Sequence, residues 1–236
     1  MKTRLPIWIV AGFVTSFGSL SLQANLFTNG SFETPVVPVG GFTNFGTGSS
    51  ITGWTVVGPE ASVVSGTYAS ECCVFPAEDG TQWLDLTGDL SNATEGVQQT
   101  VATTSGTQYT LSFWVGNVFD PTGAYGVTST VKVFLGGING TLIDTATNSN
   151  MTRGTQTWQQ FTTSFTASGP TTTLDFINAD PSTDNTNGLD NVVLNPSGTT
   201  VPEIGTLPLL VIGLLGLGFY RHRDLKSILP LLPHKR

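Results

Sequence analysis

The chain has 236 residues, and only 11% of them are charged. Once the two hydrophobic ends are set aside, about 175 residues remain, enough for one domain with a sizeable core. Between residues 25 and 200, two cations, Lys132 and Arg153, stand against fourteen acidic residues, which gives a net charge near −12. A surface this acidic repels phosphate backbones, so nucleic-acid binding is excluded and cation binding is favoured.

The first 24 residues have the layout of a secretory signal peptide. Lys2 and Arg4 precede an apolar stretch from Leu5 to about Phe17, and small residues follow. Cleavage after Ala24 is the first prediction, with cleavage after Ser21 as the alternative. An uncleaved anchor helix is the other interpretation. In each case the middle of the chain lies outside the cytoplasm.

Residues 25–197 are predicted to form an all-β domain. Thr, Ser, Gly and Asn are abundant there, and helix formers are sparse. Runs typical of strands recur every dozen or so residues between Gly, Pro and Asn clusters. The clearest of these runs are Thr81–Leu86, Gly96–Val101, Gln108–Val115, Thr128–Leu135, Thr157–Thr166, Thr172–Asn178 and Leu189–Leu194.

Strict alternation within these runs predicts how the strands pack. Tyr109, Leu111, Phe113 and Val115 share one face of their strand, and Trp114 lies on the other. This period fits two antiparallel sheets packed face to face, each with one solvent-exposed face. We therefore predict a β-sandwich with jelly-roll topology.

Aromatic residues are the best candidates for a binding surface. Sugar rings have apolar C–H faces that stack on aromatic rings, while their hydroxyls pair with Asn, Gln and Asp. Trp114 and Trp83 lie on the strand face opposite their apolar neighbours, and Tyr68 and Phe119 lie in predicted loops. The sequence thus names Trp114, Trp83, Tyr68 and Phe119 as candidate ligand-binding residues. The alternative is that each ring is simply packed in the core.

Two segments near the ends of the domain carry a family resemblance. Asn-Gly-Ser-Phe-Glu ends at Glu33, and Gly-Leu-Asp-Asn-Val contains Asp190. With the segments between them, they resemble the galactose-binding-like jelly-roll group, which includes many carbohydrate-binding modules. The resemblance implies that the first and last strands lie close together and share a structural calcium ion held by Glu33 and Asp190. Alternatively, Glu33 is an ordinary surface residue and Asp190 caps a turn.

The domain lacks the usual residues of nucleophilic or zinc catalysis. Both histidines, His222 and His234, follow the C-terminal apolar segment, so a His-assisted nucleophile or a His-ligated zinc ion is excluded from the exported part. Cys72 and Cys73 are adjacent and could form a vicinal disulfide, pair between chains or stay free. Carboxylates remain, and a glycosidase needs only two. No local pattern singles out a pair, so we predict a protein that is not an enzyme.

Residues 198–223 are predicted to form a sorting and anchor segment. Val201, Pro202 and Glu203 precede an apolar run, and Arg221 and Arg223 follow it. Arginines at this position indicate a membrane-crossing helix with its C-terminus inside. This order of parts resembles the PEP-CTERM sorting signal of exported bacterial proteins, which implies recognition by a membrane-bound sorting enzyme, an exosortase. Residues 224–236 would then form a basic cytoplasmic tail.

Together these patterns predict an exported, membrane-sorted bacterial surface protein of the cell envelope. Its β-sandwich is predicted to bind carbohydrate, such as the exopolysaccharide of the cell, without catalysis. One alternative is a structural matrix or adhesion protein without a discrete ligand. The other is a glycan hydrolase built on carboxylates.

Overall fold

Twelve β-strands make up the regular secondary structure of the residues that the computed structural model describes, which are 24–70, 72–89 and 95–197. They form two six-stranded antiparallel sheets. In spatial order the first sheet contains β1 (Phe42–Gly46), β4 (Glu60–Ser65), β5 (Gln82–Asp85), β12 (Gly188–Pro196), β7 (Gln108–Asn117) and β10 (Thr157–Thr166). The second contains β2 (Ser50–Ile51), β3 (Trp54–Val57), β6 (Gly96–Ala102), β11 (Thr171–Asn178), β8 (Ser129–Leu135) and β9 (Thr141–Asn148).

The two sheets pack face to face, which confirms the predicted all-β sandwich. The residues that alternate along β7, namely Tyr109, Leu111, Phe113 and Val115, are all buried. From the second sheet, the ring of Phe176 meets that of Phe113 edge-on at a centroid distance of 5.4 Å. Each such side chain contributes about 1.5–3 kcal/mol by leaving water. The core is therefore built by strand alternation, as the sequence predicts.

The beginning and end of the domain are joined by hydrogen bonds. The Leu26 N–H donates to the Leu194 carbonyl at 3.0 Å. The Asn25 side-chain amide donates to the Val192 carbonyl at 2.7 Å, and the Val192 N–H donates to the Gly30 carbonyl at 2.9 Å. These bonds hold the first residues of the domain against its last strand, β12.

All seven predicted strand runs are strands in the structure, with ends that differ by up to two residues. Five further strands, β1, β2, β3, β4 and β9, were not among those runs.

The predicted signal peptide, sorting segment and cytoplasmic tail fall on residues 1–23 and 198–236, which lie outside the described residues. Within the described ranges, no helix has the length and apolar character that crossing a bilayer requires.

Candidate functional site

A second apolar cluster lies on the outer face of the first sheet. Alternation along β5 sends Leu84 into the sandwich core and its neighbour Trp83 to the opposite face, where Trp83 pairs with Val64 of β4. Phe75, from the segment between β4 and β5, stacks on the Trp83 ring at 6.2 Å. Its carbonyl accepts the Trp83 indole N–H at 3.1 Å. Trp83 is therefore only 1% exposed, although it lies outside the main core.

Cys72 and Cys73 form a disulfide with each other in the segment that covers this cluster. Of the three alternatives left open by the sequence, the structure contains the vicinal bond. Cys73 packs in the apolar cluster, whereas Cys72 is exposed. Next to it, the Val74 N–H donates to the Gly154 carbonyl at 3.1 Å, and the Gln156 N–H donates to the Val74 carbonyl at 2.8 Å. These bonds fasten the covering segment to the chain that enters β10.

A pocket of about 190 Å³ lies beside this cluster. Edge-to-face contacts hold its rings: Phe42 meets Tyr68 at 5.6 Å and 88°, and Phe75 meets Tyr125 at 5.2 Å and 72°. The Asn185 N–H donates to the Ala124 carbonyl at 2.8 Å and so fixes the wall next to Tyr125. Of the residues that the structure describes, five aromatic side chains line the pocket: Phe42, Tyr68, Phe75, Trp83 and Tyr125.

The carboxylate of Asp85 lies in the pocket at the end of β5 and is 8% exposed. Its Oδ1 atom accepts three hydrogen bonds, from the Thr87 N–H at 3.0 Å, the Thr87 hydroxyl at 2.9 Å and the Asn187 N–H at 3.0 Å. Its Oδ2 atom has a weak contact of 3.5 Å with the Thr186 hydroxyl. Burial raises the pKa of Asp85 to about 7, although these hydrogen bonds favour the charged form.

Asp85 should make the stability of the protein depend on pH. Because its pKa is higher in the folded state than the ordinary 3.8, the folded state binds more protons between about pH 4 and pH 7. The free energy of unfolding therefore falls as the pH rises through this window. We expect Asp85→Asn to reduce that slope by up to about 1.4 kcal/mol per pH unit in urea unfolding. Asp144→Asn, in β9, is the matched control, and an equal slope in all three proteins would contradict the assignment.

Asp89 adds a second carboxylate at the exposed rim of the pocket. The Asn44 side-chain amide donates to it at 2.8 Å, and the Ser62 hydroxyl donates to the Asn44 oxygen at 2.6 Å. Burial, and then the neighbouring Tyr125, raise the pKa of the Tyr68 hydroxyl. The carboxylates of Asp89 and Asp85 raise it further. Phenols and carboxylates thus face the same small volume.

Residues 25–195 match the family model described as protein of unknown function (DUF642). The chain belongs to the DUF642 family. A cyclase from Fischerella sp., in its apo form, is 19% identical with a TM-score of 0.53, over 74% of this chain and 97% of that one. A second cyclase structure, from Fischerella sp. TAU, is 19% identical with a TM-score of 0.51, over 73% and 97%. At this identity the likeness shows the fold alone.

A carbohydrate-binding module, TmCBM61 in complex with β-1,4-galactotriose, also resembles the chain. It is 17% identical with a TM-score of 0.42, over 74% of this chain and 100% of that one. A comparison with curated proteins found no match.

The four predicted ligand-binding residues of this DUF642 domain divide into two pairs. Tyr68 and Trp83 line the pocket, whereas Trp114 and Phe119 do not. Trp114 lies half-buried on β7 opposite Gln160, and Phe119 lies beneath the Arg153 guanidinium at 5.2 Å. Trp83 is buried, in line with the alternative that its ring is packed, because Phe75 and its segment cover it.

Three aromatic rings and two carboxylates that line the pocket were not predicted as ligand contacts: Phe42, Phe75, Tyr125, Asp85 and Asp89. Asp85 follows Trp83 by two positions, so strand alternation alone places both on the outer face of β5. That spacing is the one signal in the sequence that could have found it.

Glu33 and Asp190 both bind the segment that leads into β5. The Glu33 carboxylate accepts hydrogen bonds from the Thr81 N–H and the Gln82 N–H, each at 2.8 Å, and from the Thr81 hydroxyl at 2.6 Å. The Asp190 carboxylate accepts the N–H groups of Glu78 and Asp79 at 2.9 and 3.1 Å, and its own neighbour's N–H at 2.7 Å. The two carboxylates therefore hold one segment, residues 78–82, from two sides.

A calcium ion shared by Glu33 and Asp190 stays a prediction. Across the described ranges, no three His, Cys, Asp or Glu side chains are grouped as metal ligands would be. A bound ion raises apparent stability by mass action, so its removal lowers the melting temperature. Thermal unfolding with and without a chelator checks the prediction: a fall on chelation supports it, and an unchanged melting temperature contradicts it.

Proposed function

We propose that this DUF642 protein is an exported, membrane-sorted bacterial surface protein whose sandwich binds carbohydrate without catalysis. The observation that carries the proposal is the pocket on the outer face of the first sheet. Five aromatic rings and two carboxylates meet there in one small volume. Apolar ring faces beside hydrogen-bonding groups are the combination that small-molecule sites use for contact area and for orientation.

The size and chemistry of the pocket suit a single sugar ring. Its volume of about 190 Å³ is below the roughly 300–1,000 Å³ of sites for drug-sized ligands. The C–H face of a sugar would lie on Tyr68, Tyr125 or Phe42, and its hydroxyls would donate to Asp85 and Asp89. The buried hydroxyls of Ser62 and Thr186 add partners that can donate or accept.

The two ends of the chain support export. The first 24 residues have the pattern of a signal peptide, and residues 198–223 resemble the PEP-CTERM sorting signal. On this proposal an exosortase-type enzyme is a partner. The protein reaches the cell envelope with a single C-terminal anchor, and its ligand is a polysaccharide such as the exopolysaccharide of the cell.

Binding is tested with the full chain, purified in a detergent that has no sugar headgroup. We expect it to be retained by at least one immobilised polysaccharide, and its tryptophan fluorescence to change on binding because Trp83 lines the pocket. A chain that binds no polymer, with or without calcium, refutes the proposal. Self-association without any sugar response would instead favour the structural matrix or adhesion role.

A second candidate function, glycan hydrolysis, is favoured by one observation. Asp85 and Asp89 line the same pocket, and burial raises the pKa of Asp85 to about 7, the range of a general acid. Against it, Asp85 Oδ1 is held by three hydrogen bonds from Thr87 and Asn187. Release of reducing ends by the protein, abolished in Asp85→Asn and in Asp89→Asn, would establish hydrolysis in place of simple binding.

A further inference from the structure

Among the residues that the structure describes, no cation balances the charge of the pocket. Asp85 and Asp89 line it, and none of its described lining residues is Lys, Arg or His. Between residues 24 and 197 the sequence contains two cations. Arg153 lies over Phe119, outside the pocket, and Lys132 is on β8 of the second sheet.

One oxygen of the buried Asp85 carboxylate, Oδ2, accepts only a weak hydrogen bond from the described part of the chain. Asp85 Oδ1 accepts three hydrogen bonds, whereas Oδ2 accepts a long one of 3.5 Å from the Thr186 hydroxyl. A buried carboxylate normally has a positive partner or a full set of donors, because losing water is costly for a charge. Burial raises the pKa of Asp85 for this reason. A ligand that brings its own positive charge would satisfy this oxygen.

The aromatic lining favours the same kind of ligand. A cation within about 6 Å of a ring centroid is attracted by the negative face of the ring, more strongly when both are removed from water. Tyr68 and Tyr125 are half-buried and line the pocket with the two carboxylates, and the partly exposed ring of Phe42 contacts Tyr68. The aromatic rings and the two carboxylates that line the pocket therefore both attract a positively charged group.

We infer that the pocket selects an amino sugar with a free, protonated amino group over neutral and acidic sugars. The inference rests on the proposed carbohydrate-binding function and names the class of sugar. The ammonium group donates to Asp85 Oδ2 and to the Asp89 carboxylate, while the ring stacks on the tyrosines. N-acetylation removes the charge and two of its three N–H donors, and a uronic acid is repelled by both carboxylates when they are ionised.

Binding of an ammonium group should also release a proton from the protein, whereas binding of a neutral sugar should not. Below its pKa of about 7, Asp85 is mostly protonated in the free protein. A cation beside Oδ2 favours the ionised form, so the protein releases up to one proton per ligand bound. A neutral sugar that accepts or donates ordinary hydrogen bonds leaves the protonation of Asp85 nearly unchanged.

The experiment is calorimetry with the full chain in the same detergent, at low salt and slightly acidic pH. The probes are oligomers of glucosamine, oligomers of N-acetylglucosamine and neutral galacto-oligosaccharides. We expect glucosamine oligomers to bind about tenfold tighter or more, a preference that high salt reduces. Repeating the titration in buffers of different ionisation enthalpy should reveal proton release for glucosamine oligomers alone.

Variants separate the contribution of each carboxylate. Asp89→Asn, at the exposed rim, should remove most of the preference for the charged sugar, and Asp85→Asn should also remove the proton release. Asp144→Asn removes the same charge from β9, outside the pocket, and should leave the preference intact. Because Asp89 is exposed, its variant keeps the test valid even if Asp85→Asn unfolds.

The outcomes distinguish this inference from the function on which it rests. Equal binding of the three oligomers, or tighter binding of the N-acetylated one, overturns the amino-sugar inference and leaves carbohydrate binding in place. Tighter binding of a lysine peptide than of glucosamine oligomers also overturns it. No binding of any sugar overturns both.

Discussion

Replacing Tyr125 by alanine should weaken sugar binding by about tenfold or more, equivalent to about 1.4 kcal/mol. Tyr125 lines the pocket from the loop between β7 and β8, and its ring contacts Phe75 edge-on. Truncation removes a stacking surface for the sugar without removing a residue from either sheet. Large aromatic anchors of this kind dominate binding energies in buried sites.

The same loop supplies a control for the Tyr125 variant. Phe119 lies under Arg153 and does not line the pocket, so Phe119→Ala should bind sugar as the unchanged protein does. Affinities are compared by titration, with thermal unfolding as the check on folding. If Tyr125→Ala binds with unchanged affinity while Phe119→Ala does not, the binding surface lies elsewhere.

Trp83→Ala should lower the free energy of unfolding by about 3–5 kcal/mol, the range for emptying a buried aromatic site. Its ring is 1% exposed, stacks on Phe75 and donates its N–H to the Phe75 carbonyl. The loss therefore combines a cavity with an unsatisfied carbonyl. Urea unfolding measures the effect.

Trp114→Ala is the matched control for Trp83→Ala. Trp114 also lies on the outer face of the first sheet but is half-buried, so its replacement should cost clearly less. Equal losses for the two variants would mean that Trp83 is no better packed than Trp114, contrary to the structure.

Trp83 and Trp114 show what strand alternation can and cannot predict about the burial of a side chain. The period of two correctly places Leu111 and Phe113 in the core and Trp114 outside. It cannot tell whether another segment covers the outer face. Trp83 is covered by the stretch around Phe75, which has no periodic pattern and contains a disulfide whose existence the sequence left open. Backbone hydrogen bonds of Val74 fasten this stretch to residues 154 and 156.

Two of the strands that were not predicted, β9 and β1, have a physical reason in common. β9 pairs with β8 across a shift in register between Val133 and Phe134, and its own sequence is mostly polar and exposed. β1 is short and contains Gly, Thr and Asn, and only alternate residues are half-buried. Strands of this kind are specified by their neighbours in the sheet more than by their own hydrophobic pattern.

The pocket itself depends on contacts that no local pattern reveals. Asp85 belongs to β5, yet one of its hydrogen bonds comes from the N–H of Asn187, about a hundred positions later in the chain. Phe42 and Tyr125 reach the same pocket from β1 and from the loop after β7. Residue types identified aromatic rings as candidates, but only the fold brings these particular rings together with carboxylates.

A sugar titration of the isotopically labelled domain, residues 25–197, followed by amide chemical shifts, tests the central claim most directly. A sugar in the pocket should shift the amides of β4, β5 and the segments around Tyr68, Asp89 and Tyr125, and leave the second sheet nearly unchanged. Shifts that cluster on the second sheet, or no shifts with any sugar tested, would contradict the assignment of this pocket as the carbohydrate site.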